Sequence, residues 1–259
     1  MAPIGGRSVR RAGGLGLAAI LLIGPAFADD SGLRERIEGR LAKAELVEHG
    51  QIEVAVEGSV AVLSGFTTTV DARNQAEKAA RKETKAVDNR IRVMPTVAVE
   101  DAALQRAVAD AVLGYAHYGV FDSVSAGVAQ GTVTLQGSVQ HPWHKADIEN
   151  RVARLDGVRE IKSEIRVQPV SSADERLRRQ LYRDIYGNGL FQRYATFVDP
   201  PIRIIVENGN VTLTGVVNSA VEKAVLGSIA RSALAFRVDN RVQLESEIGK
   251  EPERGGAES

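Results

Sequence analysis

The chain lacks several residue types, and each absence limits what the protein can do. None of its 259 residues is cysteine, which excludes structural disulfides, a thiolate nucleophile and zinc–thiolate sites. Aromatic residues make up only 5% of the chain and include a single tryptophan. Basic and acidic residues both number 33, so the formal net charge is zero. Any contact with nucleic acid or an anionic membrane therefore needs a local basic patch.

The sequence contains no apolar run long enough to span a bilayer. Near its start, three arginines precede the apolar residues 15–23, and a small-x-small motif ends at Ala28. This pattern predicts a secretory signal peptide over residues 1–28, cleaved after Ala28, with an uncleaved membrane anchor as the alternative. The pair Arg10-Arg11 leaves twin-arginine export open. We expect a periplasmic protein, whose remaining 30 basic and 33 acidic residues give a net charge of about −3.

One apolar pattern occurs three times and organises the chain. Each copy is a β-hairpin whose second strand ends at a glycine, namely Gly65, Gly137 or Gly215. In the third copy the turn is Asn208-Gly209, a strong hairpin signal because both turn residues take positive φ. The apolar residues fall at the same offsets before all three glycines, which are 72 and 78 residues apart. These intervals indicate three copies of one small domain rather than a solenoid repeat.

Each copy has the element order α-β-β-α-β. Apolar residues four apart predict an amphipathic helix before each hairpin, and a second helix follows, centred on residues 74–86, 144–155 and 219–233. A closing strand ends each copy, at Ile91, Ile165 and Val242. The predicted fold class is α+β, with three tandem αββαβ domains. Each domain is a small three-stranded mixed sheet covered on one face by two helices.

Short linkers that contain proline separate the copies. The predicted domains are residues 31–95, 100–169 and 173–245. Residues 246–259 are rich in Glu, Gly and Pro, which predicts a disordered tail. The third copy has extra residues, 187–201, between its first helix and its hairpin, and a longer loop is a common place for function.

The first copy departs from the others on the outward face of its hairpin. Val60 and Val62 occupy positions that are polar in the other two copies. An exposed apolar pair on an open sheet indicates a partner, so both are candidate contact residues. We expect this face to pack on a neighbouring domain.

A cluster at the start of the second copy's second helix combines aromatic and basic residues. Trp143, with Lys145 and Arg151, is a candidate lipid anchor because indole favours the membrane–water boundary. The alternative is that Trp143 packs beside the start of the helix. His141 and His144 are three residues apart, but the sequence offers no third metal ligand beside them.

A second aromatic and basic cluster, Phe191, Arg193 and Tyr194, lies in the insertion of the third copy. It would suit a lipid interface or a stacked base, and the alternative is that the rings fill the core over the third sheet. The predicted signal peptide argues against a nucleic acid partner. The cluster is therefore a candidate for contact with lipid or a protein partner.

The first helix of the third copy carries Arg178, Arg179 and Arg183, which predict a solvated face. A lipid role would require this face to be free of the other domains. No Gly-x-Ser-x-Gly elbow, phosphate loop or His-Glu-x-x-His motif occurs, and the carboxylates are scattered. The sequence therefore predicts a protein that is not an enzyme, with no catalytic residue, metal site or cofactor.

The repeats resemble the BON domain, a small bacterial module of osmotically induced periplasmic proteins. The points of match are the Gly-x-Val-x-Leu-x-Gly strand, an alanine in the second helix and a Val-Asp-Asn stretch before the last strand, represented by Ala146, Ala224 and Val238-Asp239-Asn240. The third copy matches best. The first matches least, because Ser59 and Ala61 replace the glycine and the valine of the strand.

This resemblance implies a function in the cell envelope. Such repeats are thought to bind phospholipid surfaces or other envelope components, they are linked to envelope stress, and no BON motif residue is catalytic. We expect a binding protein that associates peripherally with phospholipid in envelope maintenance or osmotic stress. The alternative is a periplasmic protein-binding or chaperone-like module. An enzyme of unknown type would need a pocket with convergent polar groups.

Overall fold

The computed structural model of the chain describes residues 26–197 and 199–248. Three domains follow one another, each with a helix, a hairpin, a second helix and a closing strand. The predicted fold class, α+β with three tandem αββαβ domains, is confirmed. The predicted signal peptide up to residue 25 and the predicted tail from residue 249 lie outside the described residues.

Domain 1 runs from α1 to β4. Its elements are α1 (Ala26–Lys43), a 3-10 turn (Leu46–His49), β1 (Gly50–Glu57), β2 (Val60–Thr67), α2 (Val70–Ala80), β3 (Val87–Asn89) and β4 (Arg92–Val93). The central strand β2 pairs antiparallel with β1 and parallel with β3 and β4. Ile37, Leu63 and Ala76 are fully buried between this sheet and the helices.

Domain 2 has the most regular sheet, in the order β5-β6-β7. Its elements are α3 (Asp101–Leu113), β5 (Ser123–Ala129), β6 (Thr132–Val139), α4 (Pro142–Ala153) and β7 (Glu160–Val167). Strand β5 is antiparallel to β6, whereas β7 is parallel to it. Leu104, Leu135 and Ile148 form the centre of its core.

Domain 3 repeats this plan with one additional helix. Its elements are α5 (Ser172–Tyr186), α6 (Gln192–Ala195), β8 (Ile202–Glu207), β9 (Asn210–Val217), α7 (Ala220–Ser232), β10 (Arg237–Asn240), β11 (Gln243–Leu244) and a 3-10 turn (Glu245–Glu247). The central strand β9 pairs antiparallel with β8 and parallel with β10 and β11. Leu181, Ile204 and Leu213 are fully buried in its core.

One residue decides whether the closing strand is continuous. In domains 1 and 3 this residue is Asn89 or Asn240, whose side-chain oxygen accepts the backbone N–H two residues later and ends the ladder locally. Domain 2 has Ser163 at the same register, and β7 continues through it for eight residues. The Ser163 hydroxyl has no hydrogen-bond partner in the part of the chain that the structure describes. The asparagine therefore replaces strand pairing by side-chain bonds.

Replacing Asn240 with alanine should lower the free energy of unfolding by about 2 kcal/mol. The variant loses the bond from the side-chain amide to the carbonyl of Lys223 (2.7 Å) and the bond from the N–H of Val242 (3.3 Å). Urea unfolding followed by circular dichroism measures this loss. The control is Asn210→Ala, because Asn210 is exposed and its amide donates only to carbonyls of its own turn. Equal losses of unfolding free energy in Asn240→Ala and Asn210→Ala would contradict the stabilising role given to the side-chain bonds of Asn240.

Domains 2 and 3 share a core because a loop of domain 2 enters domain 3. Residues 119–122, which lead into β5, place Val120 in the apolar core of domain 3. The carbonyl of Val120 accepts the N–H of Ile204 at 2.7 Å, so the loop extends the edge of β8. Strand β8 is consequently buried on both faces over residues 202–206. The two domains are thus joined by backbone pairing as well as by side-chain packing.

The joint between domains 1 and 2 corrects the expectation for the first hairpin. Val70 and Val93 of domain 1 pack against the core of domain 2, so this joint uses α2 and β4 rather than the outward hairpin face. On that face Val60 is 37% exposed, but Val62 is only 6% exposed. Val62 lies on a central strand, where side chains from strands on either side shield it from solvent. The expected exposed pair is therefore reduced to Val60.

Candidate functional site

Trp143 lies in the first turn of α4, as a large exposed ring. Its side chain is 55% exposed and stacks on His141, with the ring centroids 4.2 Å apart. Lys145 lies one residue beyond His144 and approaches Glu149 at 3.8 Å. Trp143 thus has the exposure that a contact residue needs, and its lipid contact stays a prediction.

Arg151 closes the end of a neighbouring helix. Its guanidinium donates to the carbonyls of Ala111 (2.8 Å) and Gly114 (3.2 Å), at the C-terminal end of α3. Those carbonyls lack partners within the helix, and positive charge is favourable there. Arg151 therefore has a structural role as a cap of α3. Its predicted lipid contact stays a prediction.

His144 pairs with a carboxylate. Its Nδ1 lies 3.0 Å from Asp122 Oδ2, and both side chains are buried. Asp122 also accepts the N–H groups of Gly119 (3.1 Å) and Gln140 (2.7 Å). Among residues 26–197 and 199–248, no three His, Asp or Glu side chains are grouped so that they would hold a metal ion. Asp122, which the sequence pattern did not mark, thus anchors the loop that enters domain 3.

Tyr115 packs edge-on against His144, with the ring centroids 5.6 Å apart. Its hydroxyl donates to Asp147 at 2.6 Å. Burial and this bond to a carboxylate raise the pKa of Tyr115 to about 12, so the phenol is a neutral donor at physiological pH.

The cluster in the insertion of domain 3 folds inward. Phe191 and Tyr194 are buried, in agreement with the alternative that their rings fill the core. The hydroxyl of Tyr194 donates to Glu222 at 2.9 Å, and the guanidinium of Arg193 pairs with the same carboxylate. A lipid contact through either ring is therefore excluded in this conformation, because burial removes the rings from the surface. Arg193 keeps a half-exposed side chain.

Helix α5 has one buried and three exposed arginines. Arg178 is only 3% exposed and donates to Gln168 (2.8 Å) and to the carbonyl of Val206 (2.6 Å), which corrects its predicted solvated position. The reason is the helical period, which places Arg178 on the same stripe as the core residues Leu181 and Ile185. It binds domain 3 to the linker from domain 2.

The opposite side of α5 forms a basic face, which we call the arginine face and define as Arg176, Arg179 and Arg183. All three are exposed. Arg179 pairs with Glu175 at 3.2 Å, whereas Arg176 and Arg183 form no ion pair within residues 26–197 and 199–248. Tyr182, 43% exposed, lies beside them. The other domains therefore leave this face open, which is the condition for a lipid role.

A groove of about 640 Å³ adjoins the arginine face. It lies between α5, the turn of the β8–β9 hairpin and the loop that follows α7. Its walls include Arg176 and Leu177 from the helix, Gly209 from the turn, and Leu234 and Phe236 from the loop. The groove is thus apolar on the loop side and basic at the helix.

Two large apolar side chains, Leu234 and Phe236, line this groove, and a third, Val170, lies one residue before it in the chain. We call Val170, Leu234 and Phe236 the apolar rim. Their exposed fractions are 104%, 92% and 87%, the highest of any large apolar residue in the described chain. Val170 directly precedes Ser171, which lines the groove. Apolar exposure concentrated at one place marks an interaction site.

Leu234 also has an unusual backbone conformation. Its φ is 59°, in the left-handed region, which costs an ordinary residue about 1–2 kcal/mol. Domain 2 has Gly157, with φ 87°, at the corresponding point between its second helix and closing strand. There the linker residue Val99 packs over the glycine. Sequence reasoning missed the rim because Ala-Leu-Ala-Phe has the composition of a core segment. Aligning the repeats would have placed Leu234 opposite Gly157, and a leucine at a glycine position is the signal that could have marked the rim.

Comparison with known families decides what these three domains are. The family model for the BON domain matches residues 29–95, 100–169 and 174–246. The chain belongs to the BON domain family. The predicted recognition of three tandem BON repeats is confirmed. No curated protein matches this BON protein.

Solved structures with detectable similarity include two of CdsD, described as a structural protein of the Type III secretion system of Chlamydia trachomatis. They are 14% and 12% identical to the BON protein and cover 82% of its chain. The alignments span 92% and 96% of the CdsD chains, with TM-scores of 0.24 and 0.25. TM-scores this low carry no conclusion about function.

BON domains are binding modules without catalytic activity, associated with envelope or periplasmic proteins and with phospholipid binding. In the described part of this BON protein, no helix is both long and apolar enough to cross a membrane.

Proposed function

We propose that this BON protein is exported and binds peripherally to anionic phospholipid surfaces of the cell envelope, without enzymatic activity. The observation that carries the proposal is the arginine face of α5, which the other domains leave exposed. Export rests on the signal-peptide pattern of residues 1–28, and a role in envelope maintenance or osmotic stress rests on the family.

The expected binding is modest and sensitive to salt. Each arginine close to an anionic leaflet contributes about 1 kcal/mol, and this attraction fades within a Debye length of about 10 Å at 0.1 M salt. Without residues 1–28 the chain has 30 basic and 33 acidic residues, a formal net charge of about −3, so long-range attraction to an anionic surface is absent. The charges of the protein therefore favour membrane contact through the arginine face alone.

Changing Arg176, Arg179 and Arg183 to glutamine should weaken binding to anionic vesicles about tenfold or more. The measurement is co-sedimentation of the purified protein with vesicles of phosphatidylcholine containing about a third phosphatidylglycerol, at low and high salt. Vesicles of phosphatidylcholine alone should retain little of either protein.

The matched control changes Arg34, Arg36 and Arg40 of α1 to glutamine. These arginines lie on the corresponding helix of domain 1, with side chains 58%, 54% and 44% exposed, and the variant has the same formal charge as the first. It should bind like the wild type. If the control variant loses as much vesicle binding as the α5 variant, binding depends on net charge and not on the arginine face. If the wild type does not bind anionic vesicles, the proposal is overturned.

A protein-binding or chaperone-like role is the second candidate. Val60 favours it, since this apolar side chain is 37% exposed on the outward face of the first hairpin. Such a role would appear as suppression of client aggregation that does not depend on vesicles.

A further inference from the structure

We infer that the apolar rim of domain 3 inserts into the acyl layer of the membrane, while the arginine face binds the headgroups. This inference rests on the proposed function, because it requires that the arginine face binds anionic lipid. The arginine face and the apolar rim are adjacent. Arg176 belongs to the arginine face and also lines the groove that Leu234 and Phe236 border. A membrane that contacts the arginines is therefore within reach of the rim.

The shape of the rim suits insertion. Leu234 and Phe236 are 92% and 87% exposed, although one side of the Phe236 ring lies over Gly209 at the groove wall. Val170, which directly precedes the groove-lining Ser171, is also fully exposed. Large apolar side chains gain free energy when they leave water, and an apolar surface beside arginines is the arrangement of interfacial membrane anchors.

The charges at the rim favour an anionic lipid as the occupant. The carboxylate of Asp174 lines the groove, but it accepts the N–H groups of Asn208 and Gly209, both at 2.8 Å. Arg176 and Arg237, which follows Phe236, are exposed and form no ion pair among the described residues. The surroundings of the rim are thus positive, which complements phosphate headgroups.

The fold does not require these apolar residues. Phe236 and Arg159 occupy the same position in domains 3 and 2, since each donates its N–H to a hairpin glycine carbonyl at 2.9 Å. Domain 2 therefore has Gly157 and Arg159 where domain 3 has Leu234 and Phe236, and its loop still closes the sheet. Leucine in a left-handed conformation is a local cost, which binding through the side chain would offset.

Copying domain 2 into domain 3 separates insertion from charge attraction. The variant Leu234→Gly with Phe236→Arg removes both apolar side chains, relieves the left-handed leucine and adds one positive charge. Insertion predicts about tenfold weaker binding to vesicles with phosphatidylglycerol, with the salt dependence retained. Purely electrostatic contact predicts equal or tighter binding. Circular dichroism and urea unfolding check that the variant folds.

The depth to which the apolar rim enters the membrane is measured by the fluorescence of a single indole at position 236. The wild type contains one tryptophan, Trp143, so Trp143→Phe supplies a background for Phe236→Trp. With vesicles whose acyl chains carry bromine, the indole at position 236 should shift to shorter wavelength and lose at least about half of its emission, as expected for an apolar anchor in the acyl layer. The matched control is Val221→Trp in the same background, since Val221 is 66% exposed on α7 outside the rim and should stay unquenched.

The outcomes distinguish this inference from the proposed function. Absence of wild-type binding to anionic vesicles overturns both. Wild-type binding that is unchanged or tighter after Leu234→Gly with Phe236→Arg overturns insertion alone. Absence of quenching at position 236 in vesicle-bound protein also overturns insertion alone. That result would be expected if the rim binds a protein segment instead of lipid. Weaker binding together with quenching at position 236 supports insertion.

Discussion

Replacing Asp122 with alanine is expected to lower the free energy of unfolding of domains 2 and 3 by about 4 kcal/mol. Asp122 is 1% exposed, and its carboxylate accepts bonds from Gly119, Gln140 and His144. Alanine leaves these three donors without the acceptor that they share. Buried donors without partners lose their hydration and regain nothing, which is the larger part of the cost.

The same change should separate two domains that otherwise unfold together. Asp122 holds residues 119–122 in place, and this loop supplies Val120 to the core of domain 3. When the loop is released, the bond from the N–H of Ile204 to Val120 and the apolar contact are weakened together. We expect the wild type to unfold domains 2 and 3 in one transition and the variant to unfold them in two.

Urea unfolding with circular dichroism checks both expectations, and Asp110→Ala is the matched control. Asp110 is an exposed aspartate on α3, so its replacement should change the free energy of unfolding by less than about 0.5 kcal/mol. A loss below about 1 kcal/mol for Asp122→Ala, or a single transition like that of the wild type, would contradict the role assigned to Asp122.

The second large effect is expected for Glu222→Ala, at about 3 kcal/mol. Glu222 is 5% exposed and accepts the hydroxyl of Tyr194 and the N–H of Asn218, each at 2.9 Å. It also pairs with Arg193. These bonds tie the insertion of domain 3 to the start of α7, so their loss should free the insertion as well as destabilise the helix.

A double-mutant cycle with Arg193→Gln tests the pairing. Arg193 is half exposed, so its replacement alone should cost no more than about 1 kcal/mol. In the Glu222→Ala background the same replacement should cost less, because the carboxylate is already absent and only the bond from Arg193 to the hydroxyl of Tyr194 (3.0 Å) remains to be lost. Thermal unfolding of the four proteins gives the coupling, and additive losses would show that the pair contributes nothing. Vesicle binding should be unchanged by Arg193→Gln, since Glu222 holds this guanidinium.

The hairpins show what local sequence predicts well. Gly65, Gly137 and Gly215 lie two residues before the ends of the central strands, with φ of 100°, 132° and 108°. At Gly215 a Cβ would lie 1.8 Å from the carbonyl oxygen of Pro201, so no other residue fits there without a shift of the backbone. Such a requirement acts within one hairpin. The alternating pattern around it is also local, which is why the three units and their sheets could be predicted.

The candidate site was predicted less well. The sequence marked Phe191 and Tyr194 as a candidate contact, but both are buried. Arg178 belongs by composition with the exposed arginines of α5, yet its position on the helix turns it toward the core. Leu234 and Phe236 have core composition and are exposed. In each case residue type alone indicates the wrong environment, because burial depends on which elements pack nearby.

The sequence by itself determined the number of domains and their element order, since both follow from apolar periodicity and turn glycines that act over a few residues. The family was indicated by the resemblance of the strand and helix motifs to the BON domain, and the family model matches all three copies. Tertiary structure alone decided how domains 2 and 3 share a core, which arginines of α5 face solvent, and where apolar side chains gather at a surface. These features join residues far apart in the chain, such as Val120 with Ile204 and Arg176 with Phe236. A periodic pattern contains no information about such distant neighbours, and packing of the whole chain supplies it.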